Sequence, residues 1–357
     1  MKALDYAQMG AKAIMQKFTP DTLPPSHRFH YHQGVFLSGV EQLYKLTGNK
    51  EYFDYIKGWL DHNIDAEGNV PTEFIKEFDD IQPGILLFNM LKETGDQRYK
   101  TALDILAKEI NDFPVNTLGG VWHKYRNPNQ MWLDCMYMMG VITTMYAVNF
   151  DRMDMMDKVY DLMKAMRKVQ VNPENGLMYH MYDDSKSWDF IDEEGIVRVH
   201  WGRAMGWFAV AMFEIAELLP KDYARRREFI DAGKDLINSL LKFQDQETGL
   251  WYQVVDKPND ERNWHETSCS ALFTYAMAKA ILIGEGEDGW LDAVKKGYAG
   301  VLTKAEVKDG LVYLSGVCVG TGVGYEDYYF TRETVTNDLH GMGAFLLMTT
   351  EVSKLGM

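Results

Sequence analysis

Apolar positions recur at three- and four-residue intervals along most of this chain, and only short stretches break the rhythm. That period gathers apolar side chains on one face of a helix. It predicts helices over residues 34–46, 51–63, 81–94, 97–111, 130–147, 153–169, 201–218, 222–243, 265–282, 288–303 and 338–354, with a further amphipathic helix over 1–18. Several of these segments are apolar nearly all round, as a helix buried on every side must be.

Two echoes organise the helices. Residues 43–52 (LYKLTGNKEY) and 91–99 (LKETGDQRY) each read as a helix ending at a glycine cap, two polar turn residues, and a new helix with an aromatic in its first turn. Looser versions span 217–223 and 280–290. Interleaved with them are four runs in which Gly precedes a short extended segment: Gly120–His123, Gly176–His180, Gly249–Gln253 and Gly310–Tyr313. None is long enough for a sheet of its own, so they are expected as short strands or loops gathered at one end of the helices. Twelve helices with alternating short and long connections predict an all-α fold, an (α/α)6 barrel of six hairpins closed in a ring, with residues 1–357 as a single domain. An open helical solenoid is the alternative, and the drift between units speaks against it.

Composition narrows the function classes. Hydrophobic residues make up 46% and aromatics 13%, enough for a large core, and no Gly/Ser/Pro-rich linker divides the chain. The net charge of -15 argues against nucleic acid or an anionic membrane as partner. No segment approaches the ~18 apolar residues of a membrane span. The first residues lack the basic start and apolar run of a leader, which points to the cytoplasm, or to the periplasm where a leader preceded Met1. Cys135, Cys269 and Cys318 lie in different segments and form neither a disulfide framework nor a CxxC site.

Within this frame, one carboxylate stands out. Asp134 sits in Gln130–Met139, an otherwise almost wholly apolar run. Burying a carboxylate is costly unless it is paired or holds a proton, and a general acid must hold one. A helix cap or an ion pair is the plainer explanation. His123 and His180 occupy matching places in two Gly-aromatic runs, so both imidazoles are expected near a common mouth. In residues 200–208 (HWGRAMGWF), Arg203 and Trp207 share a helix face beside Trp201, and the small residues at 202, 204 and 206 permit a close approach to the backbone. Asp79 and Asp80 stand at a helix start, where one is expected as a cap and the other as a second carboxylate. The Gly320–Gly324 run lacks the ending and setting of a phosphate loop. The His30–His32 cluster has no carboxylate or Cys at ligand spacing, so neither metal nor cofactor is expected.

Taken in order, residues 78–84 (FDDIQPG), 120–123 (GVWH), 130–134 (QMWLD), 176–180 (GLMYH), 201–207 (WGRAMGW) and 341–347 (GMGAFLL) give the chain a likeness, from about His32 to Glu351. It resembles the unsaturated glucuronyl/rhamnogalacturonyl hydrolases of glycoside hydrolase family 105. The resemblance implies an (α/α)6 barrel that takes an unsaturated uronyl oligosaccharide, the product of a polysaccharide lyase, and removes its terminal 4,5-unsaturated uronic acid without a cofactor. It implies Asp134 as the acid that protonates C4 of the vinyl ether, after which water adds at C5 and the hemiketal collapses. It further implies His123 and His180 as sugar contacts, Trp201, Arg203 and Trp207 as floor and carboxylate contacts, and Asp79 rather than Asp80 as the residue that positions water or sugar. His32 stands where the family has an aromatic near the mouth, and Ala204-Met205 stands where it often has Gly-Asn. A sugar epimerase or an inverting glycosidase on the same toroid, and a non-catalytic binding scaffold, are the competing readings. No feature of the sequence reports the oligomeric state.

Overall fold

In the computed structural model, which describes residues 1–70 and 75–357, fourteen helices and seven short strands follow one another along the chain. They are α1 (Ala3–Met15), α2 (Tyr31–Thr47), α3 (Lys50–Asn63), α4 (Ile85–Thr94), α5 (Gln97–Asp112), β1 (Gln130–Trp132), α6 (Cys135–Met138), α7 (Gly140–Asn149), α8 (Met156–Val169), β2 (Met181–Asp183) and β3 (Ile196–Val197). Then come α9 (Gly202–Leu218), α10 (Arg226–Leu240), α11 (Thr267–Leu282), α12 (Trp290–Leu302), β4 (Ala305–Lys308), β5 (Leu311–Leu314), β6 (Val317–Cys318), α13 (Glu326–Phe330), β7 (Thr334–Val335) and α14 (Leu339–Lys354).

Packing arranges the long helices in two rings. On the inside α2 meets α4, α4 meets α7, α7 meets α9, α9 meets α11, α11 meets α14, and α14 closes on α2. Outside them α3, α5, α8, α10 and α12 cover α2, α4, α7, α9 and α11, while α1 covers α14. This is the (α/α)6 barrel. The burial pattern follows from the sequence: α9 from Gly202 to Phe213, α11 from Thr267 to Ala280 and α14 from Leu339 to Val352 are buried without a break. Outer α10 buries only a stripe containing Phe229, Gly233, Leu236 and Leu240. Each large apolar side chain so buried contributes about 1.5–3 kcal/mol.

The small residues of α9 serve this packing. A Cβ on Gly206 would lie 2.8 Å from Leu272, and one on Gly202 2.8 Å from Cys269 Sγ. What approaches the α9 backbone is α11, not a ligand.

Connections differ at the two ends. Inner-to-outer links are short: Gly48 and Gly95 close α2 and α4 in the left-handed region, and Asn49 and Asp96 cap the next helices. Outer-to-inner links are long and build a rim at the N-terminal ends of the inner helices. Three of the four Gly-aromatic runs lie there, pairing through single bridges such as Val115–Val121, Val171–Met178 and Tyr252–His265. The fourth differs from expectation. It forms β5, which pairs with β4 and packs on the outer helix α1.

The helix expected over 130–147 also differs. Residues 130–132 are strand β1, antiparallel to β2, which in turn pairs with β3. The Gln130 amide reaches Asp183 and the Trp132 indole donates to Gln130, so the polar start of the run is committed to the rim. Helix begins only after Asp134, and α4 begins at Ile85 after two 3-10 turns rather than at 81. No helix among the described residues is long and apolar enough to cross a membrane.

Candidate active site

Backbone hydrogen bonds stitch four rim segments together and bring their side chains to one place. Phe78 N donates to His123 O (3.1 Å), His123 N to Gln130 O (2.8 Å), Leu133 N to His180 O (3.1 Å) and His180 N to Val199 O (3.0 Å). Asp79, His123, Asp134 and His180 therefore come from three different loops but occupy one continuous patch. Beside them lies a cleft of about 320 Å³ lined by Tyr31, His32, Asp79, Trp132, Asp134 and Trp201, with Lys124, Arg126 and Gly320–Gly322 also on its walls.

Asp134 ends the strand segment and stands at the N-terminus of α6, with 11% of its side chain exposed. Its Oδ2 lies 3.4 Å from His180 Nε2, and both atoms are buried without a hydrogen bond. The far nitrogen of that ring is fixed: His180 Nδ1 is 2.6 Å from the Tyr329 hydroxyl. Burial pushes the His180 imidazole below its ordinary pKa and the Tyr329 phenol well above its own, so the ring is neutral and the phenol keeps its proton. An aligned pair would have satisfied the carboxylate. This one leaves it free to act on something in the cleft.

Asp79 has the opposite surroundings. His123 Nε2 lies 3.6 Å from Oδ1 and Lys124 Nζ 3.5 Å from Oδ2. Burial alone would raise this carboxyl, but the two cations outweigh it and hold it well below the carboxylate range. Burial would likewise strip the proton from His123. Cys135 Sγ, 3.2 Å from Nδ1, and Asp79 on the other side instead raise its pKa to about 10. The ring stacks on Trp132 at 4.5 Å. Lys124 is shared with Glu77 at 2.5 Å, and Glu77 also meets Arg28 and Arg126 at 3.4 and 3.6 Å.

The other predicted residues divide. Trp201 lines the cleft, its indole donating to Gln253. Asp80 turns away to Arg28 (2.6 Å) and the Lys76 amide (3.2 Å), and burial carries its pKa to about 6. Arg203 does not offer its fork to the cleft. It is 1% exposed and donates to the carbonyls of Cys318 (2.7 Å) and Val319 (2.8 Å), so it holds the segment that becomes the Gly320–Gly322 wall. Trp207 is buried in the ring against Tyr137, away from the cleft lining.

Sequence reasoning missed Lys124, Trp132, Tyr329 and the Gly320–Gly322 wall. Lys124 follows His123 directly and Trp132 lies inside the Asp134 run, so their signal was adjacency. Tyr329 is on α13, which no periodicity announced. Among the described residues, two groups have metal-ligating donors close together: His30, Glu77 and Asp79, and His32, Asp338 and His340. In the first, both carboxylates are already neutralised by Lys124 and their other cationic partners.

Comparison with known proteins agrees with this architecture. The model of Glycosyl Hydrolase Family 88 matches residues 6–356. Unsaturated rhamnogalacturonyl hydrolase YesR of Bacillus subtilis (strain 168) is 25% identical over 360 residues, covering 98% of this chain and 96% of that protein. A family 105 glycoside hydrolase from C. acetobutylicum ATCC 824 superposes with a TM-score of 0.92 at 31% identity, over 98% of this chain and 99% of the other. The unsaturated glucuronyl hydrolase of Bacillus sp. GL1 shares the fold at a TM-score of 0.72 and 14% identity, over 97% and 95%. The chain belongs to the glycoside hydrolases of families 88 and 105.

Proposed function

We propose that this enzyme removes a 4,5-unsaturated uronic acid from the non-reducing end of an oligosaccharide, with Asp134 as proton donor. The observation that carries the reading is the cleft-facing Asp134 beside a neutral, anchored His180, with neither facing atom hydrogen-bonded. The relatives named above and their printed activities support the substrate class.

In the reaction the Asp134 proton passes to C4, and positive charge develops at C5 and the ring oxygen. Water adds to C5 and its proton returns to the Asp134 carboxylate. The ring then opens to a C5 ketone, and the hemiacetal left at C1 collapses with loss of the aglycone. Asp79, pinned by His123 and Lys124, keeps its negative charge throughout and suits the task of orienting water or sugar hydroxyls. Trp132 and Trp201 supply flat walls for the ring. The sugar carboxylate falls to Arg126, the cleft's guanidinium, whose side chain is 72% exposed.

The test is the loss of the far-ultraviolet absorbance of the conjugated double bond. Lyase-generated oligosaccharides should be bleached with release of the shortened chain, while their saturated counterparts remain intact. Cleavage of saturated uronides at the same rate would replace this reading with ordinary glycoside hydrolysis.

A further inference from the structure

The last inner helix meets the first where the ring closes, and their starts are built alike. His30 caps α2 with His32 two residues on, and Asp338 caps α14 with His340 two residues on. His32, Asp338 and His340 present ligand atoms that all lie within 4.8 Å of one another. The geometry at His340 is unusual. Its Nε2 is 3.0 Å from the Cys318 carbonyl, so that nitrogen carries the hydrogen and, in a neutral ring, Nδ1 carries a lone pair. That lone pair stands 2.7 Å from Asp338 Oδ1 without forming a hydrogen bond, in a side chain that is 0% exposed. Two lone pairs do not face each other at that distance unless a proton or a cation lies between them.

We propose that His32, Asp338 and His340 bind a transition-metal dication of the zinc class at the seam between α2 and α14. Two imidazoles and one carboxylate are a donor set for such ions, and three protein ligands leave a position open. Of the three, His32 lines the cleft, where its Nε2 also lies 2.9 Å from the Tyr31 hydroxyl. The bond from His340 Nε2 to a backbone carbonyl is the outer contact by which a metal-bound histidine is held in one tautomer. Asp338 has His340 as its sole ion-pair partner among the described residues, and the cap bond its Oδ1 accepts from the His340 amide is long, at 3.3 Å. The positive ends of two helix dipoles and the nearby Arg203 oppose a dication, so the affinity expected is below that of closed structural zinc sites.

Isothermal titration of chelator-treated protein with zinc chloride tests this without any substrate, so its outcome is independent of the reaction assigned to Asp134. One ion per chain should bind, and bound zinc should raise the melting temperature because it ties the first inner helix to the last. Asp338→Asn keeps a capping side chain and removes the charge. It should weaken binding by more than about 100-fold, beyond what loss of an outer contact costs. His32→Asn, on the opposite helix, should do the same while circular dichroism remains that of the native fold. Absence of one-to-one binding, or equal binding by both variants, overturns the proposal and leaves a proton shared between His340 and Asp338.

Discussion

Two Asp–His pairs stand at the cleft wall, and they are opposites. Asp79 and His123 are both charged, flanked by Lys124 and Cys135, and their partners are fully engaged. Asp134 and His180 face each other at a similar distance, but the ring is neutral and neither facing atom is hydrogen-bonded. Residue type and burial are therefore poor guides to role. What separates the pairs is whether a second cation is present: Lys124 fixes the charge of Asp79, and among the described residues nothing equivalent pairs with Asp134. The first pair is suited to hold a substrate or water, the second to move a proton.

Substitutions can break this contrast. The largest effect is expected from Asp134→Asn, which should lower kcat for bleaching by about 10²–10⁴-fold, the usual contribution of a general acid, with little change in thermal stability. Asp79→Ala should lower kcat as well, since Asp79 orients water or sugar, but it should also cost stability. With His123 left without its carboxylate and Lys124 left to Glu77 alone, the fold should lose about 3–5 kcal/mol in urea titration, because one partner of a buried network is gone. Tyr329→Phe leaves His180 Nδ1 without its buried partner and should cost about 1–3 kcal/mol, with a slower kcat as the ring loosens. Smallest is Arg126→Ala, where an exposed side chain is removed: stability should change by less than about 1 kcal/mol while KM rises.

The same contrast has a pH signature. His123 has a folded pKa of about 10, raised above its unfolded value of about 6.5. Its charge therefore stabilises the fold fully below pH ~6.5, and that stability is lost as pH rises toward about 10. Urea midpoints measured across that range should fall in the wild type and fall less in His123→Gln. Equal slopes would mean that His123 carries no charge beside Asp79.

Much of the ring was legible from periodicity, because a helix buried on all sides and one buried on a stripe leave different patterns. The rim was harder to read. Residues 130–132 look helical by apolar content, yet their pairing with 181–183 is set by a segment some fifty residues away. Arg203 and Trp207 share a helix face as expected. That face points into the barrel wall, and the guanidinium is consumed by carbonyls of a distant loop. Asp79 and Asp80 are adjacent in sequence, and only the positions of Lys124 and Arg28 separate the cleft-facing one from the buried one. The carboxylate missing near His30–His32 arrives from residue 338, beyond the reach of any spacing rule. Helices announce themselves locally; ion pairs and sites depend on which loops meet.

Proton donation by Asp134 is the step on which the proposed reaction depends, and a single-turnover experiment reaches it directly. With Asp134→Asn enzyme in excess over an unsaturated uronyl disaccharide, the substrate should bind while its far-ultraviolet absorbance persists. Wild-type enzyme under the same conditions should abolish that absorbance in one exponential phase. Bleaching by Asp134→Asn at the wild-type rate would contradict the assignment and move the proton donor elsewhere in the cleft.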